Sequence, residues 1–164
     1  MRFFLTLLLL IAAAMPAHSE APQRAALFPV EFIDSSPEAP TPAEQARVKA
    51  LGVQLRELLT QSGRYTFVNI TVPVAAAAAS HDLWNCNGCE AVLAKQDHAQ
   101  VSVIAWVQKV SDLILNINAV IRDADTGKAI AAGSVDIRGN TDETWSRGLR
   151  YLVQNRLLAP PRSP

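Results

Sequence analysis

Residues 101–138 carry the sequence VSVIAWVQKVSDLILNINAVIRDADTGKAIAAGSVDIR, which decides the fold of the chain. Apolar and polar residues alternate along much of it, as expected for strands that bury one face. The run DADTGK, residues 123–128, consists mainly of residues that favour tight turns. We therefore predict three strands, over residues 101–109, 113–122 and 129–138, that form an antiparallel meander.

Upstream of the meander, predicted strands alternate with helices. The first strand is predicted over residues 25–33 and the second over residues 65–70. The helix between them begins after Thr41, whose side chain is suited to a capping box with Glu44, and ends near residue 62. Apolar residues at helical spacing between these two ends support this prediction.

Three more helices complete the pattern. Short helices are predicted over residues 73–79 and 89–96. A closing amphipathic helix follows the last strand, with Asn140 as its N-cap and Glu143 at its third position. Two prolines at residues 160–161 end this helix.

The predicted element order is β-α-β-α-α-β-β-β-α. Strands that are separated by helices are expected to be parallel, whereas the last three are joined by tight turns and are antiparallel. The sequence therefore predicts an α/β fold with a five-stranded mixed sheet flanked by helices, in strand order 2-1-3-4-5. One mature domain is expected over residues 20–164, with its core over about 25–158.

The first 19 residues have the pattern of a secretory signal peptide. Arg2 supplies the positive start, and the apolar run over residues 3–14 is shorter than the ~20 residues of a spanning helix. Ala17 and Ser19 are the small residues of a cleavage site before Glu20, and no cysteine follows for lipid attachment. We expect the mature protein to be periplasmic and to have no membrane span.

Composition and charge exclude several classes of protein. The chain has 164 residues, of which 49% are hydrophobic and 18% charged, which is too apolar for a disordered tail. Its formal net charge of zero argues against a general nucleic-acid binder. Without residues 1–19 the net charge is −1, with +3 over residues 138–164 and −4 over residues 20–137. The arginine-bearing last helix is therefore an expected functional surface.

The two cysteines, Cys86 and Cys89, enclose Asn-Gly. In an oxidising compartment the first expectation is a disulfide that connects a loop to the start of the next helix. A redox-active dithiol is the second interpretation, because a cysteine at a helix N-terminus attacks disulfides readily. A metal site with His81 and His98 is the third. Covalent haem is excluded, because Glu90 occupies the position where histidine is needed.

A polar group surrounds the junction of the last strand and the last helix. Its carboxylates and arginines are suited to binding a small ligand. Helix capping by Asn140 and Glu143, with a local ion pair of Arg138, is the expectation that we favour. The group comprises Asp136, Arg138, Asn140, Asp142, Glu143 and Arg147.

Three residues of the meander stand out on apolar strands. Asn116 and Asn118 share one face of the middle strand, where they either meet solvent or pair with Ser102, Gln108 or Ser134. We expect Trp106 to be a core residue under the last helix; the alternative is a recognition surface that it forms with the asparagines. The candidate interaction surface comprises Arg138, Arg147, Arg150, Trp106, Asn116 and Asn118.

Several stretches resemble known families. FPVEF at residues 28–32, ELL at residues 57–59 and SGRY at residues 62–65 resemble the opening of domains related to the curli-secretion lipoprotein and the TolB amino-terminal domain. This chain lacks the lipidated cysteine and the pore-forming insertion of the curli-secretion family. The resemblance therefore implies a similar fold and not a secretion channel.

The whole mature chain resembles a family of small exported bacterial proteins that is labelled only as a domain of unknown function. CNGCE at residues 86–90, WVQKVS at residues 106–111 and SVDIRGNTDE at residues 134–143 carry this resemblance. It implies no catalytic residue and no cofactor, and it weakly implies a place near periplasmic quinoprotein dehydrogenase systems.

Together these observations predict a non-enzymatic periplasmic accessory or assembly factor. It is expected to act by binding a protein of the periplasm or the envelope, whose identity the sequence does not supply. Two alternatives remain open: a thiol-disulfide redox protein that uses Cys86 and Cys89, and a small-ligand binder.

Overall fold

The structure is a computed structural model that describes residues 21–160. The signal peptide predicted over residues 1–19 lies outside this range. A 3-10 helix covers Leu83–Asn85, and one π-helical turn covers Val153–Leu157. In chain order the elements are β1 (Gln23–Leu27), β2 (Glu31–Asp34), α1 (Pro42–Gln61), β3 (Tyr65–Phe67), α2 (Val72–Ala79), α3 (Cys89–Gln96), β4 (Val101–Ser111), β5 (Ile114–Asp123), β6 (Ala129–Ile137) and α4 (Asp142–Leu152).

The strands form one mixed sheet in the order β3-β1-β4-β5-β6, with β2 also paired to β4. β1 runs parallel to β3 and β4, and β2 runs parallel to β4. The pairs β4–β5 and β5–β6 are antiparallel. The predicted α/β class, strand order and meander are confirmed.

The sheet has six strands rather than the five predicted. The strand predicted over residues 25–33 is divided into β1 and β2, which pair with successive parts of β4. The exposed Pro29 lies in the break, where the register with β4 shifts by one residue: Leu27 pairs with Val103, and Glu31 pairs with Trp106.

Helices cover the two faces of the sheet unequally. α1, α4 and the π-helical turn pack on one face, where Trp145, Leu149 and Leu152 lie against buried residues of the central strands. These strand residues are Val101, Val103, Ala105, Val107, Leu115, Ile117, Ala119 and Ile121. On the other face α2, the 3-10 helix and α3 pack on a smaller core, which includes Phe28 and Ile104. Much of this second face over β5 and β6 therefore has no helical cover.

The two long helices start with side-chain caps. The capping box predicted for α1 is confirmed: the Glu44 amide donates to Thr41 Oγ1 (3.2 Å), and the Thr41 amide donates to Glu44 Oε2 (2.6 Å). The prediction for α4 is wrong by one residue, because its N-cap is Thr141 and not Asn140. Thr144, not Glu143, completes the box. The side chain of Asn140 is bound elsewhere, as described below.

Gly148 allows α4 to approach the sheet closely. A Cβ atom at this position would overlap Ile137 Cγ2 and would lie 3.3 Å from Ile117 Cδ1. Gly52 in α1 differs, because its Cβ would lie at an ordinary 3.4 Å from Val30 Cγ2.

We expect Gly148→Ala to lower the free energy of unfolding by about 1–2 kcal/mol, because overpacking outweighs the higher helix propensity of alanine. Gly52→Ala is the matched control and should leave stability unchanged or raise it by up to ~1 kcal/mol. Urea denaturation measures both. Equal effects of the two substitutions would contradict close packing at Gly148.

Candidate functional site

One face of the meander is largely free of helices, and we call six of its residues the open face. Residues in register on neighbouring strands share a face of the sheet. Trp106 is in register with Asn118, which is in register with Ser134. In the next row Gln108, Asn116 and Asp136 are aligned in the same way. The open face consists of Trp106, Gln108, Asn116, Asn118, Ser134 and Asp136.

Hydrogen bonds satisfy one part of the open face. Asn116 Nδ2 donates to Asp136 Oδ1 (2.7 Å), and Ser134 Oγ donates to Asn116 Oδ1 (3.0 Å). This confirms the predicted contact between an asparagine and Ser134. Within residues 21–160, the side-chain amides of Asn118 and Gln108 form no hydrogen bond with the chain.

Trp106 is not the core tryptophan that we predicted. It is half-buried on the face opposite α4, while its neighbours Ala105 and Val107 are buried on the α4 side. The tryptophan between α4 and the sheet is Trp145, a residue of α4 itself, which is 2% exposed. Strand alternation requires this arrangement once α4 packs against Ala105 and Val107. Trp106 thus lies beside the asparagines, as the alternative interpretation had it.

A groove of about 300 Å³ separates the open face from the loop at residues 81–89, which we call the disulfide loop. Trp106, Val120 and Arg122 line its sheet side, and the partly exposed Trp84 lines its loop side. Two indole rings therefore border one shallow groove. Aromatic side chains with a polar edge are typical of protein interfaces.

Cys86 and Cys89 form a disulfide, as predicted, with their Cα atoms 5.6 Å apart. Asn87 and Gly88 between them have φ values of 57° and 103°, in the left-handed region that Asn and Gly tolerate best. The bond connects the end of the 3-10 helix to the first residue of α3.

The metal interpretation of this loop is not supported. In the part of the chain that the structure describes, one group of three potential ligands occurs, formed by Cys86, Cys89 and Glu90. Both sulfur atoms of this group are in the disulfide, and neither His81 nor His98 belongs to it.

Two carboxylates attach the disulfide loop to the sheet. Glu31 accepts hydrogen bonds from the amides of Leu83 (3.0 Å) and Trp84 (2.8 Å) at the start of the 3-10 helix. Burial raises the pKa of the Glu31 carboxyl, and these backbone hydrogen bonds only partly oppose it. On the other side of the loop, the buried Glu90 accepts a hydrogen bond from Arg122 Nε (2.7 Å). The loop is thus held in place beside the open face.

We expect Glu31→Gln to loosen the disulfide loop, because a glutamine amide oxygen replaces two carboxylate oxygens as the acceptor for two backbone donors. The loss should be about 1–2 kcal/mol of local stability, seen as faster hydrogen exchange at the Leu83 and Trp84 amides. Glu38→Gln, at an exposed loop position, is the control and should leave both rates unchanged. Unchanged rates in Glu31→Gln itself would contradict this anchor.

The predicted surface arginines lie apart from the open face. Arg147 and Arg150 are exposed on α4, which packs on the opposite face of the sheet, and Arg147 pairs with Glu143 (3.1 Å). Arg138 is exposed just after β6. Within residues 21–160 it has no carboxylate at ion-pair distance, so the local pair predicted for it does not form. The residues of the predicted interaction surface therefore lie in two separate places, with Trp106 and the two asparagines on the open face and the arginines away from it.

Sequence reasoning missed a buried cluster around Lys109, whose side chain is 2% exposed. Lys109 Nζ lies 2.7 Å from Glu44 Oε1, 3.1 Å from Asp112 Oδ1 and 3.7 Å from Asp34 Oδ2. Asn140 Nδ2 donates to Glu44 Oε1 (2.6 Å), and Asn140 Oδ1, the acceptor that a cap would need, accepts from Trp145 Nε1 (3.0 Å), so Asn140 does not cap α4. One signal was present: Lys109 continues the series of inward positions 101, 103, 105 and 107 on β4.

The cluster sets the charge states of its members. Burial alone would raise the pKa of the Glu44 carboxyl, but hydrogen bonds from Lys109, Thr41 and Asn140 outweigh burial and lower the pKa to about 2. The pKa of the Lys109 ammonium is raised, chiefly by its hydrogen bond to Glu44, although burial opposes this. Both groups are therefore charged at neutral pH.

The lowered pKa of Glu44 makes its contribution to stability depend on pH. This stabilisation is fully present above the ordinary pKa of 4.5 and is lost as the pH falls from there towards about 2. We expect Glu44→Gln to cost roughly 3 kcal/mol at pH 7 and progressively less between pH ~5 and ~2, measured by urea denaturation. The exposed Glu57→Gln is the control. A cost for Glu44→Gln that does not change with pH would refute the ion pair.

Residues 23–157 match the sequence profile of the family DUF3280, described as "Protein of unknown function (DUF2380)". The chain belongs to this family. The family resemblance predicted from the sequence is thereby confirmed. Among curated proteins no sequence relative matches the chain significantly.

Solved structures show the same fold at low sequence identity. The LpoB C-terminal domain from Salmonella enterica is 16% identical, with a TM-score of 0.51, over 74% of this chain and 87% of that one. Lipoprotein GNA1162 from Neisseria meningitidis is 16% identical, with a TM-score of 0.53, over 82% and 95%. The PelC dodecamer from Paraburkholderia phytofirmans is 8% identical, with a TM-score of 0.53, over 81% and 86%. Among residues 21–160, no helix is both long and apolar enough to span a membrane.

Proposed function

We propose that this chain is a non-enzymatic accessory protein of the bacterial cell envelope that binds a partner protein through the open face. One observation carries the proposal: the half-buried Trp106 lies beside Asn118 and Gln108 at the border of the second core, where the helical cover of this sheet face ends in the part of the chain that the structure describes. The amides of these two residues have no hydrogen-bond partner within residues 21–160. An aromatic ring beside amides that are free to bond to a partner is suited to a protein interface.

The disulfide loop supports this proposal. It is held against the sheet by Glu31 and Arg122, and it places Trp84 across the groove from Trp106. A surface that is ordered before binding loses less conformational entropy when a partner binds. The loop therefore extends the open face into a rigid recognition site.

The proposed location is the periplasm. The signal-peptide pattern of residues 1–19 supports export. GNA1162, which shares the fold, is itself described as a lipoprotein. A component of a periplasmic quinoprotein dehydrogenase system is the first partner class to examine.

Photocrosslinking tests the proposal directly. Benzoylphenylalanine in place of Gln108 on the open face should capture one reproducible partner in native cells. The same probe in place of the exposed Glu57 on α1 is the control and should not capture this partner. Trp106→Ala should lower binding of that partner at least ~10-fold, because aromatic residues at interface centres contribute most of the affinity.

The fold of Trp106→Ala is checked by its thermal unfolding, so that lost binding is not mistaken for lost structure. Capture from Glu57 and not from Gln108 would contradict the open face as the binding surface. Capture of no reproducible partner from either position would contradict the proposed function.

A further inference from the structure

Among the strands that the structure describes, the sheet ends at β6, whose outer edge is unpaired. β6 is nine residues long and pairs only with β5 among the strands that the structure describes. It contains no proline and one charged residue, Asp136. Soluble proteins usually protect such edges with charges, prolines or bulges. β6 has a bulge only near its start, where its register with β5 shifts between Ile121 and Arg122.

The outward-directed backbone groups of β6 can be identified. The Gly139 amide donates to Leu113 O (3.3 Å), in continuation of the register that pairs Leu115 with Ile137. Hydrogen bonding alternates along an antiparallel strand, so every second residue of β6 directs its N–H and C=O groups away from β5. These residues are Ala132, Ser134 and Asp136. Within residues 21–160, none of their backbone groups has a hydrogen-bond partner.

A groove of about 370 Å³ with two arginines adjoins the first half of this edge. Arg64 and Arg156 line the groove with Ile130, Ala131 and Ala132, and no carboxylate lines it. Arg64 Nη1 donates to the carbonyl of Leu158 (3.2 Å). Neither arginine has a carboxylate at ion-pair distance within residues 21–160.

Gly133 keeps Arg156 beside the strand. A Cβ atom at Gly133 would lie 2.5 Å from Arg156 Cβ, so only glycine permits this close contact. The stem of Arg156 is therefore held beside the strand by packing, while the residue as a whole is exposed. A guanidinium next to a row of unpaired backbone groups suits an extended chain that carries a carboxylate.

We propose that β6 binds an extended, acidic segment of the partner protein as an additional strand of the sheet, with a carboxylate of this segment at Arg64 and Arg156. The backbone groups of Ala132, Ser134 and Asp136 supply the main-chain hydrogen bonds, and the arginines select for negative charge. A second copy of this chain fits less well, because the one carboxylate of its β6, Asp136, already accepts a hydrogen bond from Asn116. The inference rests on the proposed function, since it specifies how the partner is held.

Photocrosslinking from the groove tests this inference in the full chain. Benzoylphenylalanine in place of the exposed Asn155, which lines the groove, should crosslink in native cells to one segment of the partner. Mass spectrometry of the crosslinked peptide should place at least one Asp or Glu in that segment.

Two variants with matched controls separate backbone pairing from charge. Ala132→Pro removes an outward N–H without breaking the ladder to β5, whereas Ala132→Thr keeps the N–H. Arg156→Glu reverses the charge at the groove, whereas Lys49→Glu reverses an exposed charge on α1. Ala132→Pro and Arg156→Glu should each lower the crosslink yield at least ~10-fold, and the two controls should not.

The outcomes distinguish this inference from the proposed function. If the probe at position 108 captures a partner but the probe at position 155 does not, strand addition is refuted and the open face remains supported. The same holds if Ala132→Pro and Arg156→Glu both keep the full crosslink yield. A crosslink from Asn155 to a second copy of the chain also refutes the inference. If neither position captures a partner, both proposals fail.

Discussion

The buried ion pair between Lys109 and Glu44 connects the central strand to the helical layer on one face of the sheet. Lys109 ends the row of inward side chains on β4, and Glu44 lies in the first turn of α1. Asn140 bonds to the same carboxylate and also accepts a hydrogen bond from Trp145 Nε1 (3.0 Å), which brings the start of α4 to the same point. Both long helices are thus fixed to one face, and the other face is left to the short helices.

This unequal cover leaves exposed the surface to which we propose that a partner binds. α2 and α3 pack on the part of the second face near Phe28 and Ile104 and reach β5 at Val120 and Arg122, and they leave much of β5 and β6 uncovered in the part of the chain that the structure describes. The open face therefore lies between the disulfide loop and the edge of β6. Solved structures such as the LpoB domain and GNA1162 share the fold.

Local patterns were sufficient to predict most of the fold. The capping box at Thr41, the turn residues before β6 and the short spacing of Cys86 and Cys89 each act within a few residues. They predicted the helix start, the meander and the disulfide correctly. Pro29 was a local signal that the first strand ends there. That the chain continues as a second strand, β2, depends on pairing with β4, which no local pattern shows.

Tertiary contacts decided what the sequence did not predict. Alternation assigned Trp106 to one of two strand faces, but only the packing of α4 determines which of them is buried. Lys109 stood at an inward position, yet its partner Glu44 lies far away in the chain and was already assigned to a cap. Asn140 has the chemistry of an N-cap, but its Oδ1 accepts from Trp145 Nε1 and its Nδ2 donates to Glu44, so Thr141 caps α4 instead.

Hydrogen exchange along β6 in the free protein, measured residue by residue by NMR, tests most directly whether the sheet is open at this edge. We expect fast exchange at the amides of Ala132, Ser134 and Asp136 and slow exchange at those of Gly133 and Val135, which bond to β5. Uniformly slow exchange across these five residues would show that the edge is already covered, and it would contradict an open edge at β6.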